Sequence, residues 1–191
     1  MIPLSIDRQR YPVKGDLLLS EPFLMDDHFT RSVILIGEHS EKGSFGLVLN
    51  QSLDVSLSDI LDEFPTLSIR VGIGGPVEQN QLFFLHNSSE IEHAEKISNQ
   101  CYLGGNFEQL VQMVAEGKMD ASNIRFFIGY TGWGEQQLIS EIKEKTWIVM
   151  EQPSNFNVFT TDDSTLWKNL LKQLGGNYET MANYPVNPSD N

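Results

Sequence analysis

Arg31-Ser32-Val33-Ile34-Leu35-Ile36-Gly37-Glu38, the linker His39-Ser40-Glu41-Lys42-Gly43-Ser44, and Phe45-Gly46-Leu47-Val48-Leu49-Asn50 form the stretch that decides the fold class. Two runs rich in Val, Ile and Leu flank a polar linker containing glycine, which is the pattern of a β-hairpin. Working outward, residues 15–20 are a third apolar run closed by Pro22, consistent with a buried strand. On the other side Ser56 stands three residues before Asp59, with Leu57, Ile60, Leu61 and Phe64 on one face. That spacing predicts a capped amphipathic helix ending at Pro65 and covering the hairpin.

The rest of the chain continues this alternation. Residues 69–73 and 81–86 read as strands joined through Gly74-Gly75-Pro76, and 101–103 as a short additional one. Asn106 caps a helix whose Phe107, Leu110, Val111 and Val114 share a face, with Gly117 as its stop. A strand over 124–129 runs into the turn Tyr130-Thr131-Gly132-Trp133-Gly134, after which Leu138, Ile139 and Ile142 mark a helix and 146–150 returns as a strand. Asp162 or Asp163 opens the last helix, which carries Leu166, Trp167, Leu170, Leu171 and Leu174 and ends at Gly175-Gly176; the tail from Asn177 reads as loop. No repeat or linker divides this order, so one α+β domain is expected over 1–191, with 1–14 and 177–191 less regular.

Composition narrows the function. The chain has 191 residues, with 13 Lys+Arg against 26 Asp+Glu and a net charge of −13. Phosphate backbones need clustered cations, so nucleic acid is disfavoured as a partner. A single cysteine, Cys101, excludes an internal disulfide and a thiolate-rich zinc site. Residues 1–10 lack the order of a secretory leader, and no apolar run approaches the roughly 20 residues of a membrane span. A cytoplasmic protein without membrane association is expected.

The candidate sites are weaker than the fold. Gly129-Tyr130-Thr131-Gly132-Trp133-Gly134 lies between a strand and a helix, where backbone N–H groups can hold an anion; it lacks a lysine, and Glu135 follows it, so a tight turn is favoured. Gly72-Ile73-Gly74-Gly75-Pro76-Val77 misses the third glycine and following helix of a dinucleotide site. Gly43-Ser44-Phe45-Gly46 is not a nucleophile elbow. Glu90 and His93 have a metal-ligand spacing without a second copy, so no metal site is assigned. Glu38 and His39 end a strand, where neighbours point to opposite faces and cannot cooperate unless the chain bends. Arg31 suits a carboxylate such as Glu38 or Asp27, or an acidic ligand. Cys101, with no neighbouring cation in sequence, reads as an inert core thiol. Phe83-Phe84 and Phe126-Phe127 are expected to fill the core and an interface.

Phe29-Thr30-Arg31-Ser32-Val33, Glu38-His39, Gly46-Leu47-Val48-Leu49-Asn50, Gly74-Gly75-Pro76-Val77, Leu85-His86 and Gly129-Tyr130-Thr131-Gly132-Trp133-Gly134 followed by Gln137-Leu138 and Glu141-Ile142 together resemble the YqgE/AlgH family of bacterial proteins. The resemblance runs from about Gly15 through Leu174-Gly175-Gly176 to Asn187-Pro188-Ser189. It implies a strongly bent, barrel-like mixed sheet flanked by helices, and a cytosolic protein. Members are often labelled transcriptional regulators, with no agreed catalytic residues. Gly37 stands where relatives often carry cysteine, Thr131 where alanine is common, and Gln51-Ser52 where a basic residue and proline are frequent.

Three functions follow as expectations. The first is a non-enzymatic regulatory or adaptor protein acting through a protein partner, with no catalytic residue and no cofactor. The second is a small-ligand-binding protein or unrecognised enzyme whose pocket gathers Arg31, Glu38, His39, His86, Gly132 and Trp133. The third is direct DNA binding, which the charge and the missing basic recognition helix disfavour. A structure separates the first two by showing whether those six residues meet.

Overall fold

A computed structural model of the chain describes residues 10–55, 57–61 and 69–185. The apolar runs become β1 (Leu17–Ser20), β2 (Val33–Ser40) and β3 (Gly43–Val48). They pair antiparallel, with Leu35 opposite both Leu17 and Leu47. The hairpin is tighter than its polar linker predicts, because Ser40 pairs with Gly43 and only Glu41-Lys42 turn. Polarity marks exposure, and a hairpin tip can be exposed and still paired.

The remaining strands are β4 (Arg70–Ile73), β5 (Val77–His86), β6 (Glu95–Ser98), β7 (Cys101–Leu103), β8 (Ile124–Trp133) and β9 (Trp147–Met150). Hydrogen bonding orders them β6-β7-β5-β8-β3-β2-β1-β9, with β4 added to β8. The β4–β8 pairing is parallel and the others antiparallel, so the sheet is mixed as expected. It stays open, since β6 and β9 end its path without meeting. Register shifts between Ile36 and Glu38 in β2 and between Val77 and Leu82 in β5 are bulges, which bend the strands that carry them.

Helices flank this sheet: α1 (Phe107–Ala115), α2 (Gln137–Lys143), α3 (Asp163–Gln173) and α4 (Asn177–Met181). Asn106 accepts the Gln109 N–H and Asp162 accepts the Ser164 N–H, so both predicted caps form. Three features differ from the sequence reading. Residues 130–133 are not a turn but the last four residues of β8, where Gly132 pairs with Phe45. β6 was not expected, because Glu95 and Lys96 break its apolar pattern. The tail begins with α4 instead of loop. Of the predicted helix, Leu57–Asp59 form one 3-10 turn with Leu57 buried; Ser56, Phe64 and Pro65 lie outside the described residues.

Three apolar clusters hold these layers. Leu17, Leu19, Leu35, Leu47 and Phe127 pack with Leu166, Trp167, Leu170 and Leu171 of α3. The alternate residues Leu18, Ile34, Ile36 and Val48 face Leu138 and Ile142 of α2. Phe84, Ile124 and Phe126 meet Leu110 and Val114 of α1. Phe126 and Phe127 are both fully buried, in different clusters, so β8 is covered on both faces. Burial of each ring is worth about 2–3 kcal/mol.

An aromatic-floored cleft as the candidate functional site

Between the tip of the β2–β3 hairpin and the first half of β5 lies an open cleft of about 640 Å³. Three adjacent strands supply its floor: Phe45 from β3, Tyr130 from β8 and Phe83 from β5. Their ring centroids are 5.1 Å (Phe45–Tyr130), 5.4 Å (Phe45–Phe83) and 5.6 Å (Phe83–Tyr130) apart. The rings therefore touch one another and form a surface, not a cage around a void. Glycines make that surface possible. A Cβ at Gly37 would stand 2.7 Å from the Phe45 ring, and one at Gly132 would stand 3.0 Å from the Tyr130 ring. Gly37, where the resemblance sets cysteine, thus leaves the space that the Phe45 ring fills.

Glu38, Lys42, Glu78 and Gln81 stand at the rim. Glu78 adopts φ +48° at the start of the β5 bulge, and residues 78–81 are all exposed. Among the described residues neither Glu38, Glu78 nor Lys42 forms an ion pair.

The six residues predicted to share a pocket divide. Glu38, Gly132 and Trp133 border the cleft. His39 does not line it: Glu38 pairs with Phe45 and His39 with Ser44, so alternation turns the two side chains to opposite faces despite the bulge at Gly37. The His39 ring lies 2.6 Å from the Ser44 hydroxyl through Nδ1 and meets Tyr11 edge-on, and its buried Nε2 has no partner. Burial lowers its pKa.

His86 is fully buried. Its Nε2 lies 2.9 Å from the Gly104 carbonyl and its Nδ1 accepts the Ser88 N–H at 3.3 Å, which assigns the proton to Nε2. Desolvation outweighs these bonds and lowers its pKa. Arg31 meets neither Glu38 nor Asp27. It donates to the Tyr184 carbonyl, and its guanidinium lies 5.1 Å from the Trp167 ring centre. Both residues tie elements together.

Two polar centres escaped the sequence reading. Arg125, in the middle of apolar β8, is 2% exposed and donates to the carbonyls of Val158 at 3.0 Å and Leu49 at 2.7 Å. It also meets Asp163, which takes Arg70 and Ser52 as well. Burial pulls its guanidinium down to about 10 against the pull of Asp163, so it is a cation at neutral pH. An arginine within Ile124-Arg125-Phe126-Phe127 was the available signal, since a charge in a buried strand demands a partner. The second is Glu141, whose Oε2 accepts the indole N–H of Trp133 and of Trp147. Cys101 has no cation beside it in sequence, but Arg125 lies near it in space. Burial dominates and pushes the thiol up to about 12.

The glycine motifs are accounted for by packing. A Cβ at Gly74 would stand 2.2 Å from the Gly129 carbonyl, and one at Gly129 (φ +67°) would stand 2.6 Å from the Gly75 carbonyl. These glycines bring β4 and β5 against β8, and β5 rather than a helix follows them. Thr131 donates its hydroxyl to the Gly74 carbonyl. Glu90 lies in irregular chain just before the turn that holds His93, and among the described residues no group of three or more His, Cys, Asp and Glu could hold a metal ion. Nor, among those residues, is any helix long and apolar enough to cross a membrane.

Fold and site together define a single-domain α+β protein built on a mixed, open sheet, with an aromatic cleft at one end of its central strands. Residues 17–179 match the family described as AlgH-like, and the chain belongs to that family. It is 39% identical over 177 residues to a UPF0301 protein of Cytophaga hutchinsonii, covering 92% of this chain and 97% of that one. A UPF0301 protein of Bacteroides fragilis is 41% identical over 181 residues, covering 94% and 92%. Among solved structures, the AlgH protein of Pseudomonas aeruginosa superposes with a TM-score of 0.71 at 23% identity, over 93% of this chain and 98% of that one. Protein DIP2367 of Corynebacterium diphtheriae gives a TM-score of 0.74 at 23% identity, over 92% and 94%. These two likenesses concern the fold.

Proposed function

We propose that this protein is a non-enzymatic regulatory or adaptor protein of the cytoplasm, and that it docks a partner protein in the cleft floored by Phe45, Phe83 and Tyr130. One observation carries the reading: three half-buried rings from three strands lie side by side at an open surface, where a core would have sealed them. Apolar rings inside a polar rim are the anatomy of a protein-docking patch. The test is a photo-crosslinking amino acid at Gln81, on the exposed rim, in a bacterial host. The expected result is one dominant adduct that disappears when Tyr130→Ala is added. Adducts indifferent to that substitution would refute the proposal.

The cleft volume also falls within the range of small-molecule sites, which favours ligand binding as a second reading. Its residues would be Glu38, Gly132, Trp133 and the three rings, since Arg31, His39 and His86 point elsewhere. Thermal-shift screening against metabolites separates the two: a stabilising metabolite competing with the crosslink supports the second reading. Direct DNA binding has no supporting observation, and the net charge of −13 opposes it.

A further inference from the structure

We infer that the occupant of the cleft is an arginine-bearing, extended segment of the partner protein, with guanidinium groups laid on the Phe45–Phe83–Tyr130 surface and paired with Glu38 and Glu78. This inference rests on the docking role proposed above and adds the chemistry of what docks.

Four properties of the cleft converge on that occupant. Its floor is three rings in contact, Phe45 tilted by 31° to Tyr130 and by 50° to Phe83, with Phe83 and Tyr130 edge to face at 68°, and the negative face of an aromatic ring attracts a cation placed over it. Its rim carries two carboxylates that form no ion pair among the described residues against one ammonium, Lys42, on a chain whose net charge is −13. An arriving cation therefore finds carboxylates with no internal partner to lose, and the field of the whole molecule draws it in. The rings form a surface, not a cage, which suits a planar group better than a compact one. A guanidinium stacks on a single ring face and offers a carboxylate two parallel N–H donors, whereas an ammonium does neither. Finally, the cleft is open along its length, between a hairpin tip and the exposed 78–81 bulge. A small cation would leave much of its surface in water there, whereas an extended chain can cross the gap and place several side chains.

The same geometry explains why Glu38 and not His39 belongs to the site. Glu38 shares the face of Phe45, while His39 turns away to Ser44. Glu78 is presented by the left-handed backbone that opens the bulge, so its placement follows from the register shift between Val77 and Leu82.

The experiment is selection of a random decapeptide library on the wild-type protein, with counter-selection against Phe83→Ala/Tyr130→Ala. Arginine is expected to be enriched among the selected peptides. A fluorescein-labelled selected peptide should bind at least 5-fold more weakly to Glu38→Gln/Glu78→Gln, two exposed changes that leave the core untouched. It should also lose at least 5-fold when its arginines become citrulline, and should weaken as salt rises. Selected peptides that are apolar and uncharged, or that bind equally well with citrulline, would overturn this inference while leaving the docking cleft standing. No peptide surviving counter-selection would overturn both. Lysine serving as well as arginine would overturn the stacked geometry.

Discussion

Trp133 and Trp147 donate their indole N–H groups to the same oxygen, Oε2 of Glu141, at 2.8 and 2.7 Å. The rings stand edge to face with centres 6.0 Å apart, and the other carboxylate oxygen accepts from Gln137 at 2.9 Å. One side chain of α2 thus joins the end of β8 to the start of β9, strands that do not pair with each other.

Glu141→Ala leaves two largely buried indole donors without a partner. Each such loss costs about 1–3 kcal/mol, so a destabilisation of about 3 kcal/mol is expected. Urea unfolding followed by tryptophan fluorescence measures it; a loss under about 1 kcal/mol would mean that water replaces the carboxylate.

Asp163→Ala strands Arg125, which is 2% exposed, and takes the ion pair from half-buried Arg70, which keeps its bond to the Phe159 carbonyl. Removing one partner of a buried ion pair costs about 3–5 kcal/mol. Unfolding should therefore shift far more than for Glu151→Ala, whose carboxylate pairs with Arg10 in the open. Equal shifts in the two variants would show that the Arg125 pair is not what holds α3 to the sheet.

Stability should fall as pH drops below the ordinary histidine pKa of about 6.5. His86 and His39 have lowered pKa values in the folded protein, chiefly through burial. Between the folded and unfolded values the unfolded chain binds more protons, so acid favours unfolding, and above about pH 6.5 this contribution vanishes. Comparing His86→Gln with wild type between pH 7.5 and 5 isolates the effect; the variant should show the shallower loss. An identical pH profile would place the acid sensitivity elsewhere.

Cys101 should resist thiol reagents in the native state. It is 4% exposed and its thiol is pushed up to about 12, so at neutral pH almost none is thiolate. Native protein and iodoacetamide at pH 8 should give negligible labelling over a period in which urea-unfolded protein is labelled fully. Rapid native labelling would mean that the segment around Cys101 opens readily.

Gly129→Ala should be among the most damaging single changes, because φ is +67° and the new Cβ would stand 2.6 Å from one backbone oxygen and 2.7 Å from another. A loss above about 3 kcal/mol, or failure to accumulate folded protein, is expected. Near-normal thermal unfolding would show that the β5 bulge can shift to admit a methyl group.

Most elements were legible because their signals are local. Asn106 and Asp162 announce their helices through a side chain that caps within three residues, and Val33-Ile34-Leu35-Ile36 can hide only in a sheet. Tyr130-Thr131-Gly132-Trp133-Gly134 reads as a turn because its glycines have other work: Gly132 clears the Tyr130 ring on its own strand, and Gly129 just before it admits the carbonyls of Gly75 and Val77. The need at Gly129 arises from residues more than 50 positions away and leaves no mark nearby. The candidate site was half legible for the same reason. Glu38, Gly132 and Trp133 were found at strand ends, but Phe45, Phe83 and Tyr130 acquire meaning only from the strand order β5-β8-β3, which no local pattern records.

β8 pairs with β3, β4 and β5 and carries Phe126 and Phe127 into separate layers. On a ribosome, those three earlier strands emerge with their shared neighbour still unsynthesised, and they wait for it through the making of α1. A nascent chain halted before residue 124 would hold most of the sheet's strands and no centre to assemble on. This protein's birth thus has an interval of vulnerability to proteases and aggregation, which ends only when that one segment arrives.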